Sequence, residues 1–231
     1  MSDPKQTLTP SEVGSAGLAD WRQLLDCLRA RFRTGNFATG LELVNRIGAA
    51  AEAADHHPDI VLTYPEVIVS LSSHDVRGIT SRDIDLAREI SGFAAELGAS
   101  ADVRGLVQVE LGLDTTHGDR HEPVYAALFA GIAEDGREGK PADPGGQAPP
   151  VWWQEPEESG EADEHALPAQ AFEQRWHLDV WVPIDDAERR LQAVLDAGGT
   201  LVSDKAAPSY WVIEDADGNR SCICTVADRG E

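Results

Sequence analysis

The sequence predicts an α+β protein built from two units, and three observations lead to this prediction. Segments with apolar residues at every second position alternate with segments of helical period. Within the second half of the chain, the predicted order of a strand, a helix and further strands occurs twice. The net charge of −22 is uneven, because residues 1–100 hold 14 acidic and 9 basic residues and the remainder holds 27 and 10. We therefore expect a boundary near residue 100.

Composition excludes several classes of protein. No apolar run in the 231 residues approaches the ~18 that a membrane-spanning helix needs. The negative field argues against binding to nucleic acid or to anionic membrane surfaces. The polar N-terminus lacks the apolar core of a secretory signal, and three cysteines are too few for a disulfide framework. These features predict a cytoplasmic protein.

The first unit is predicted to span residues 20–99. Residues 1–19 contain Ser, Thr, Pro and Gly with little periodicity, and we interpret them as a flexible arm. In residues 27–34 apolar side chains alternate with three arginines, which predicts a half-buried strand. Residues 34–36 read Thr-Gly-Asn and predict a turn. Apolar residues then recur with helical spacing, which predicts an amphipathic helix over 37–54.

The rest of the first unit is predicted to be two strands and a helix. The β-rich runs at 60–64 and 67–71 are separated by a short turn and predict an antiparallel pair. A helix is expected over residues 80–97, because Thr80 and Asp83 have the spacing of a capping box and a glycine follows the last turn. The elements together describe a compact α+β unit.

The second unit, residues 101–231, is predicted to contain two modules of similar order. Its predicted elements are a strand at 106–114, a helix at 124–132, strands at 151–154 and 176–182, a helix at 185–196, and a hairpin of 210–214 with 221–226. A segment rich in Gly, Pro and charge follows the first helix, and an acidic run follows the second strand. They predict a solvated acidic loop near residues 134–170.

Three of the seven histidines fall close together in the sequence. His56 and His57 follow the first long helix, and His74 follows the second strand of the hairpin. Chain ends of neighbouring elements can converge in an α+β unit, so these imidazoles could share one pocket. Several imidazoles favour acid–base chemistry, because histidine titrates near ~6.5 and exchanges protons at neutral pH.

Structural and metal-binding interpretations of the same residues stay open. His56 could cap the helix C-terminus, the sequence His57-Pro58 could end the helix, and Asp83 could be a capping residue alone. Three histidines could also bind zinc. Zinc is disfavoured because neighbouring His56 and His57 point in different directions and no two of these three histidines have the i, i+4 spacing.

The residues around these histidines resemble a known family. Residues 52–59 read Glu-x-x-x-His-His-Pro-Asp, a tyrosine follows at position 64, and residues 73–83 read Ser-His-Asp-x-x-Gly-Ile-Thr-x-x-Asp. With the Phe-x-Thr-Gly that starts at Phe37, this pattern resembles pterin-4a-carbinolamine dehydratase over residues 20–98. Ser73 stands where the family usually has threonine.

The resemblance implies a fold, a reaction and a site. The fold is an antiparallel sheet with helices on one face. The reaction is dehydration of 4a-hydroxytetrahydrobiopterin, or a related 4a-hydroxytetrahydropterin, to quinonoid dihydropterin and water, with no metal or redox cofactor. His56 and His74 would be the acid–base pair and His57 would line the pocket. The resemblance implies a further group of substrate-binding residues, namely Glu52, Asp55, Pro58, Asp59, Ser73, Asp75 and Asp83.

The same resemblance implies partners and a pathway. It implies a homodimer or larger homo-oligomer and a lyase that works in tetrahydrobiopterin recycling beside an aromatic amino-acid hydroxylase. The resemblance does not decide which histidine acts as the acid and which as the base.

The second unit resembles a glyoxalase-like, or vicinal oxygen chelate, domain. The resemblance lies in Trp-His-Leu-Asp-Val-Trp-Val from residue 176, Asp-Asp-Ala-Glu from 185, Ala-Gly-Gly from 197 and Asp-Gly-Asn from 217. It implies a paired βαβββ fold over residues 101–228. Such enzymes often bind a divalent metal through His and Glu side chains.

Metal binding is not expected in this glyoxalase-like unit. Its last strand has Cys222 and Cys224 but no Glu, and its first strand has Gln108 and Glu110 but no His, which leaves His177 alone. The two cysteines could be soft ligands or buried packing, and the tryptophans could line a cleft or fill the core. We therefore predict a metal-free binding or structural role.

Three functional hypotheses follow. The leading hypothesis is a cytoplasmic two-domain enzyme, a pterin-4a-carbinolamine dehydratase joined to a glyoxalase-like domain. The rival is a non-catalytic protein, in which the first unit dimerises or regulates a partner and the second binds a small ligand. In the third hypothesis, the glyoxalase-like domain is itself a metalloenzyme.

Overall fold

The α+β class and the two-unit architecture are present in the structure. The structure, a computed structural model, describes residues 4–129, 148–155, 167–170 and 172–228. It divides into two units between Leu106 and Val107, and each unit is built on its own sheet. None of the helices in the described ranges is both long and apolar enough to cross a bilayer.

The first unit is a sheet with helices packed against it. Its strands are β1 (Arg22–Leu24), β2 (Cys27–Arg33), β3 (Asp59–Thr63), β4 (Glu66–Leu71) and β5 (Ser100–Ala101). Its helices are α1 (Pro10–Ser15), α2 (Phe37–Ala54) and α3 (Ser81–Glu96). Four strands lie antiparallel in the order β1-β2-β4-β3, and β5 pairs with β2.

The core lies on one face of this sheet. The alternation seen in the sequence turns three apolar residues of β2 inward, and α2 and α3 cover them. The fully buried members include Leu28, Phe32, Leu43, Ile47 and Ile90. Burying one such side chain contributes about 1.5–3 kcal/mol. The prediction of an antiparallel sheet with helices on one face is confirmed.

The ends of α2 and α3 place the histidine-rich segments. The side chain of Asn36 accepts a hydrogen bond from the backbone of Thr39 and starts α2. Asp55 ends α2 in the left-handed conformation, with φ of 50°, which turns the chain sharply before His56. The predicted capping box at Thr80 is present and puts Asp83 in the first turn of α3.

The N-terminal segment is not the flexible arm predicted over residues 1–19. Within its described part, Thr9 and Glu12 form a capping box that starts α1, and Val13 is buried in the core. The backbone N–H of Leu8 donates to the carbonyl of Ile79 at 2.8 Å. The polar composition was misleading, because one buried valine and one capping box dock a helix too short to have visible periodicity.

The first unit continues past its predicted end at residue 99. The carboxylate of Asp102 pairs with Arg31 and Arg33 on the outward face of β2. The backbone N–H of Asp102 also donates to the carbonyl of Arg31 at 2.8 Å. Arg31 and Arg33 of β2 therefore hold the chain to the sheet beyond residue 99, as far as Asp102.

The second unit contains a six-stranded sheet. Its strands are β6 (Gln108–Asp114), β7 (Val151–Gln154), β8 (Trp176–Trp181), β9 (Thr200–Ser203), β10 (Tyr210–Glu214) and β11 (Arg220–Cys224). Its helices are α4 (Gly118–Phe129) and α5 (Ala187–Asp196). The strand order is β7-β6-β8-β11-β10-β9.

The strand pairing in this sheet shows the internal repeat predicted from the sequence, because each half contains one parallel pair of strands. The elements β8, α5, β9, β10 and β11 form one βαβββ module, in which β8 lies parallel to β11. In the other half, β6 lies parallel to β7, and β6 joins β8 in an antiparallel pair. The described residues thus contain one whole module and a strand, helix and strand of the other, as expected for a glyoxalase-like domain.

Three details of the second unit differ from the sequence expectation. The helix expected over 124–132 begins earlier, at Gly118. Its first turns were not predicted, because they are polar and lack apolar periodicity. The last expected residues lie outside the described ranges. Strand β9 was not predicted; it follows directly after Gly199, which the sequence indicates only as the end of the preceding helix. Most of the acidic loop expected near 134–170 also lies outside the described residues.

Candidate active site

Three element ends meet in the first unit, at the C-terminus of α2, the end of β4 and the N-terminus of α3. The carboxylate of Asp83 lies between them and is 0% exposed. Its Oδ1 is 2.8 Å from Nε2 of His56, and its Oδ2 accepts a hydrogen bond of 2.6 Å from Oγ of Ser73. Asp83 therefore joins His56, two residues past the end of α2, to Ser73, the residue that precedes His74.

Further donors surround the same carboxylate. Oδ2 of Asp83 accepts from the backbone N–H of Thr80 at 2.8 Å and lies 3.2 Å from the Thr80 hydroxyl. The hydroxyls of Ser73 and Thr80 are 2.9 Å apart. The capping box that begins α3 thus belongs to one buried network with His56, and we name the set His56, Ser73, Thr80 and Asp83 the buried polar network.

The buried polar network holds the His56 ring in one orientation. The residue is 7% exposed, and its backbone N–H donates to the carbonyl of Ala51 at 3.1 Å. With the Asp83 oxygen as acceptor, the tautomer that satisfies this contact carries its hydrogen on Nε2. In that tautomer Nδ1 is the acceptor, which is the arrangement a general base needs.

The other two histidines are exposed. Nε2 of His57 lies 3.2 Å from Oε1 of Glu52, across the last turn of α2. His74 directly follows Ser73 in the loop between β4 and α3, which a bridge between Ser73 and Gly78 closes. The structure therefore gives the three histidines different settings, one buried and held by a carboxylate and two open to solvent.

The predicted substrate-binding residues fall into separate groups. Ser73 and Asp83 belong to the buried polar network, and Glu52 contacts His57. Asp55 is the C-cap of α2. Pro58 and Asp59 lead into β3, where Asp59 pairs with the backbone of Ser70.

Asp75 has partners that the sequence did not indicate. Its Oδ1 is 2.6 Å from Nη2 of Arg82, and its Oδ2 is 3.2 Å from Nζ of Lys5. Arg82 first and then Lys5 lower the pKa of Asp75 to about 2. Arg82 and Lys5 carried no sequence signal, since neither position belongs to a periodic pattern. Thr80 carried a signal, but only as a helix cap.

The second unit has a polar cluster of its own around His177. In the β6–β8 pair His177 lies opposite Gly112, and a side chain at Gly112 would overlap its ring. Nδ1 of His177 is 3.7 Å from Oδ2 of Asp114, and Nε2 is 3.9 Å from Oδ1 of Asp179. The Trp152 ring meets the imidazole edge-on at 5.8 Å between centroids.

The cluster changes the interpretation of His177 as an isolated residue. Its carboxylate neighbours come from β6 and from β8 itself, and not from the last strand, where the resemblance implied a metal-binding Glu. Cys224 is buried and Cys222 is partly buried. Across the ranges that the structure describes, no three His, Cys, Asp or Glu side chains are grouped as metal ligands would be.

The tryptophans of the second unit have several settings. Trp211 is buried in the core beneath α5, and Trp181 is buried with its Nε1 donating to Oε2 of Glu110 at 3.0 Å. Trp176 is exposed. The structural interpretation therefore holds for Trp181 and Trp211.

We expect the unfolding free energy of the second unit to vary with pH because of His177. Its pKa is raised, because the adjacent Asp114 carboxylate outweighs the opposing effect of burial and Asp179 adds to the rise. Because the pKa of His177 is higher in the folded than in the unfolded protein, the protonated ring stabilises the fold at pH values below its unfolded-state pKa of about 6.5. This stabilisation is lost as the pH rises through the folded-state pKa. The H177Q variant should therefore lose on the order of 1 kcal/mol of unfolding free energy at pH 6 and less at pH 8.

Urea titrations followed by tryptophan fluorescence would measure this difference, since five of the six tryptophans lie in the second unit. The matched control is H117Q, because His117 is exposed and outside the cluster. An H177Q deficit that grows from pH 6 to pH 8 would contradict the assigned pKa direction.

Both units match known families. The model for pterin 4 alpha carbinolamine dehydratase matches residues 6–93, and the model for a glyoxalase-like domain matches residues 110–224. The first match includes α1, in keeping with its place in the core.

Curated relatives match the first unit. A protein of Thermosynechococcus vestitus, provisionally named pterin-4-alpha-carbinolamine dehydratase, is 41% identical over 91 residues, which cover 38% of this chain and 96% of that protein. One of Nocardia farcinica with the same provisional name is 37% identical over 91 residues, with 38% and 96% covered.

A solved structure also matches the first unit. It is described as a transcriptional coactivator/pterin dehydratase from Brucella melitensis, is 30% identical and covers 38% of this chain and 99% of that one, with a TM-score of 0.38. The family resemblances inferred from the motifs are confirmed by the two family models and the curated relatives. The chain belongs to the pterin-4a-carbinolamine dehydratase family and carries a glyoxalase-like domain as its second unit.

Proposed function

We propose that the first unit catalyses the dehydration of 4a-hydroxytetrahydrobiopterin, or of a related 4a-hydroxytetrahydropterin, to quinonoid dihydropterin and water. This would make the protein a hydro-lyase of tetrahydrobiopterin recycling. The observation that carries the proposal is the buried polar network, in which Asp83 orients His56 and binds Ser73, the neighbour of His74. The names of the relatives support the same reaction class.

The reaction needs only proton transfer. The bond between C4a and the hydroxyl oxygen breaks, and a double bond forms between C4a and N5. The hydroxyl leaves as water after it receives a proton from an acid, and N5 gives its proton to a base. The reaction transfers no electrons to or from an external oxidant or reductant, so it requires no redox cofactor.

We assign the base role to His56 and the acid role to His74. Asp83 next to His56 would stabilise the imidazolium that forms when Nδ1 takes a proton, as a carboxylate does behind a catalytic histidine. His74 is exposed and can exchange its proton with water after each turnover. His57, with Glu52 beside it, would line the pterin pocket.

The remaining parts of the proposal concern the whole protein. We propose that it is cytoplasmic and a homodimer or larger homo-oligomer, working beside an aromatic amino-acid hydroxylase. The glyoxalase-like domain is proposed to be a metal-free binding module. The proposal rests on His177, which lies between the carboxylates of Asp114 and Asp179 at 3.7 and 3.9 Å and is the polar group that a ligand of this domain would meet.

A dehydratase assay on the whole chain and on residues 1–106 tests the proposed reaction. The fragment ends at the structural boundary, so it keeps the pairing of Asp102 with Arg31. We expect a cooperative melt and a turnover within about threefold of the whole chain, because the buried polar network lies entirely in this unit. A folded whole chain without activity on 4a-hydroxytetrahydropterin would favour the non-catalytic hypothesis.

Chelation tests the metal-free part of the proposal. Exhaustive treatment with a chelator is expected to leave the dehydration rate and Tm unchanged, because acid–base groups suffice for the reaction. Elemental analysis should find well below one equivalent of Zn, Mn, Ni or Fe. A stoichiometric metal whose removal lowers Tm would instead support a metalloenzyme in the second unit.

A further inference from the structure

The loop that carries His74 is open to solvent on one side. His74, Asp75 and Arg77 are exposed, and Arg77 adopts a left-handed conformation with φ of 54°. The loop is closed by the bond from the backbone N–H of Ser73 to the carbonyl of Gly78 at 2.9 Å. An exposed histidine on such a loop needs a second support to keep a defined position relative to the buried His56.

The N-terminal segment supplies contacts along this loop. The backbone N–H of Leu8 donates to the carbonyl of Ile79 at 2.8 Å. The methyl group of Thr7 packs on Gly78, since a Cβ added at Gly78 would lie 3.2 Å from it. Nζ of Lys5 lies 3.2 Å from Oδ2 of Asp75, the residue next to His74.

These contacts continue into the buried polar network. Asp75 is held from its other side by Arg82 at 2.6 Å, and Nε of Arg82 lies 3.3 Å from the hydroxyl of Thr80. That hydroxyl is 3.2 Å from the carboxylate of Asp83, which binds His56. A continuous series of polar contacts therefore runs from Lys5 to His56 through the base of the His74 loop.

The N-terminal segment itself is firmly placed. Its capping box at Thr9 starts α1, and Val13 and Leu8 pack in or against the core. Lys5 therefore approaches Asp75 from a docked segment, although its own side chain is 68% exposed.

From this geometry we infer that Lys5 is a positioning residue for the proposed dehydration: together with Arg82 it fixes Asp75 and, through it, the direction of the His74 loop. The inference rests on the proposed function. A group that acts in proton transfer loses rate steeply when its position is less well defined. Lys5 should accordingly affect kcat more than KM, and it should act through Asp75.

The test compares K5M, the conservative variant K5R, and K205M as a control, because Lys205 is an exposed lysine of the second unit. We expect K5M to lower kcat by about three- to tenfold with KM changed less than twofold and Tm unchanged. K5R should restore most of kcat, and K205M should match the parent. In the D75N background K5M should have no further effect on kcat, because the Asp75 carboxylate through which Lys5 acts in this inference is already neutral.

Hydrogen exchange gives a readout that does not need turnover. Amides of residues 73–80 should exchange faster in K5M than in the parent, while those of 27–33 should be unchanged. Unchanged exchange, unchanged kcat, or an equal K5M effect in the D75N background would each overturn the inference. If the parent lacks dehydratase activity, the proposed function fails, and exchange at residues 73–80 still decides whether Lys5 braces the loop.

Discussion

Replacing His74 with alanine is expected to lower kcat for dehydration by about 10²–10⁴-fold, the usual contribution of a positioned acid or base. Its side chain is exposed, so Tm should stay within a few degrees of the parent. Replacing His56 should cost a similar factor in rate. It should also lower the free energy of unfolding by about 1–3 kcal/mol, because the Asp83 carboxylate would remain buried without one of its donors.

Steady-state kinetics on each variant, with circular dichroism to confirm folding, would measure these effects. The control is H117A, an exposed histidine of the second unit, which should keep the parent rate. If His56 and His74 act in the same turnover, the double variant should lose little more than the worse single variant. A folded double variant with near-normal turnover would refute the assignment of both histidines.

The second large effect is expected at Asp83. The isosteric change D83N keeps the shape but replaces one acceptor oxygen with an amide nitrogen, which can only donate. All the neighbours of this carboxylate are donors, namely the His56 ring, the Ser73 hydroxyl, and the hydroxyl and backbone N–H of Thr80. At the Oδ2 position the new amide nitrogen would face the backbone N–H of Thr80, and at the Oδ1 position it would require His56 to adopt its other tautomer. The lost acceptor should cost roughly 1–3 kcal/mol of unfolding free energy.

D83N should also reduce kcat by about 10²-fold or more, since the His56 ring loses the acceptor that fixes its tautomer. Urea denaturation and kinetics on the same preparation separate the two effects. D85N is a matched control two residues along α3, where Asp85 is exposed and pairs only at the surface with Arg88. Its unfolding free energy should stay within about 0.5 kcal/mol of the parent. Equal behaviour of D83N and D85N would show that the network contributes neither stability nor rate.

Sequence patterns were most informative where a structure depends on nearby residues. The bounds of α2 and β7 coincide with the predicted ones, and the capping box of α3 is where Thr80 and Asp83 indicated it. Periodicity predicts such elements well because each is set by side chains within one or two turns or along one strand. The two family resemblances belong here too, since they rest on motifs of contiguous residues.

Patterns were less informative where a short element gains its stability from distant partners. The helix α1 has six residues, too few to reveal a face, and docks through Val13. The first unit extends past residue 99 to Leu106, and in this stretch Asp102 pairs with Arg31 and Arg33. No local pattern predicts this pairing, because it forms only once β2 has folded beside the chain. Composition alone therefore placed the arm and the boundary incorrectly.

For the site, the sequence by itself determined the family, the three histidines and the carboxylates around them. Only the tertiary structure decided which of them act together: Asp83 with His56 and Ser73, Asp75 with Arg82 and Lys5, and His177 with Asp114 and Asp179. The reason is physical. A side chain's hydrogen-bond partner is chosen by which elements pack at its end of the sheet, and that packing is a property of the whole core rather than of the local chain.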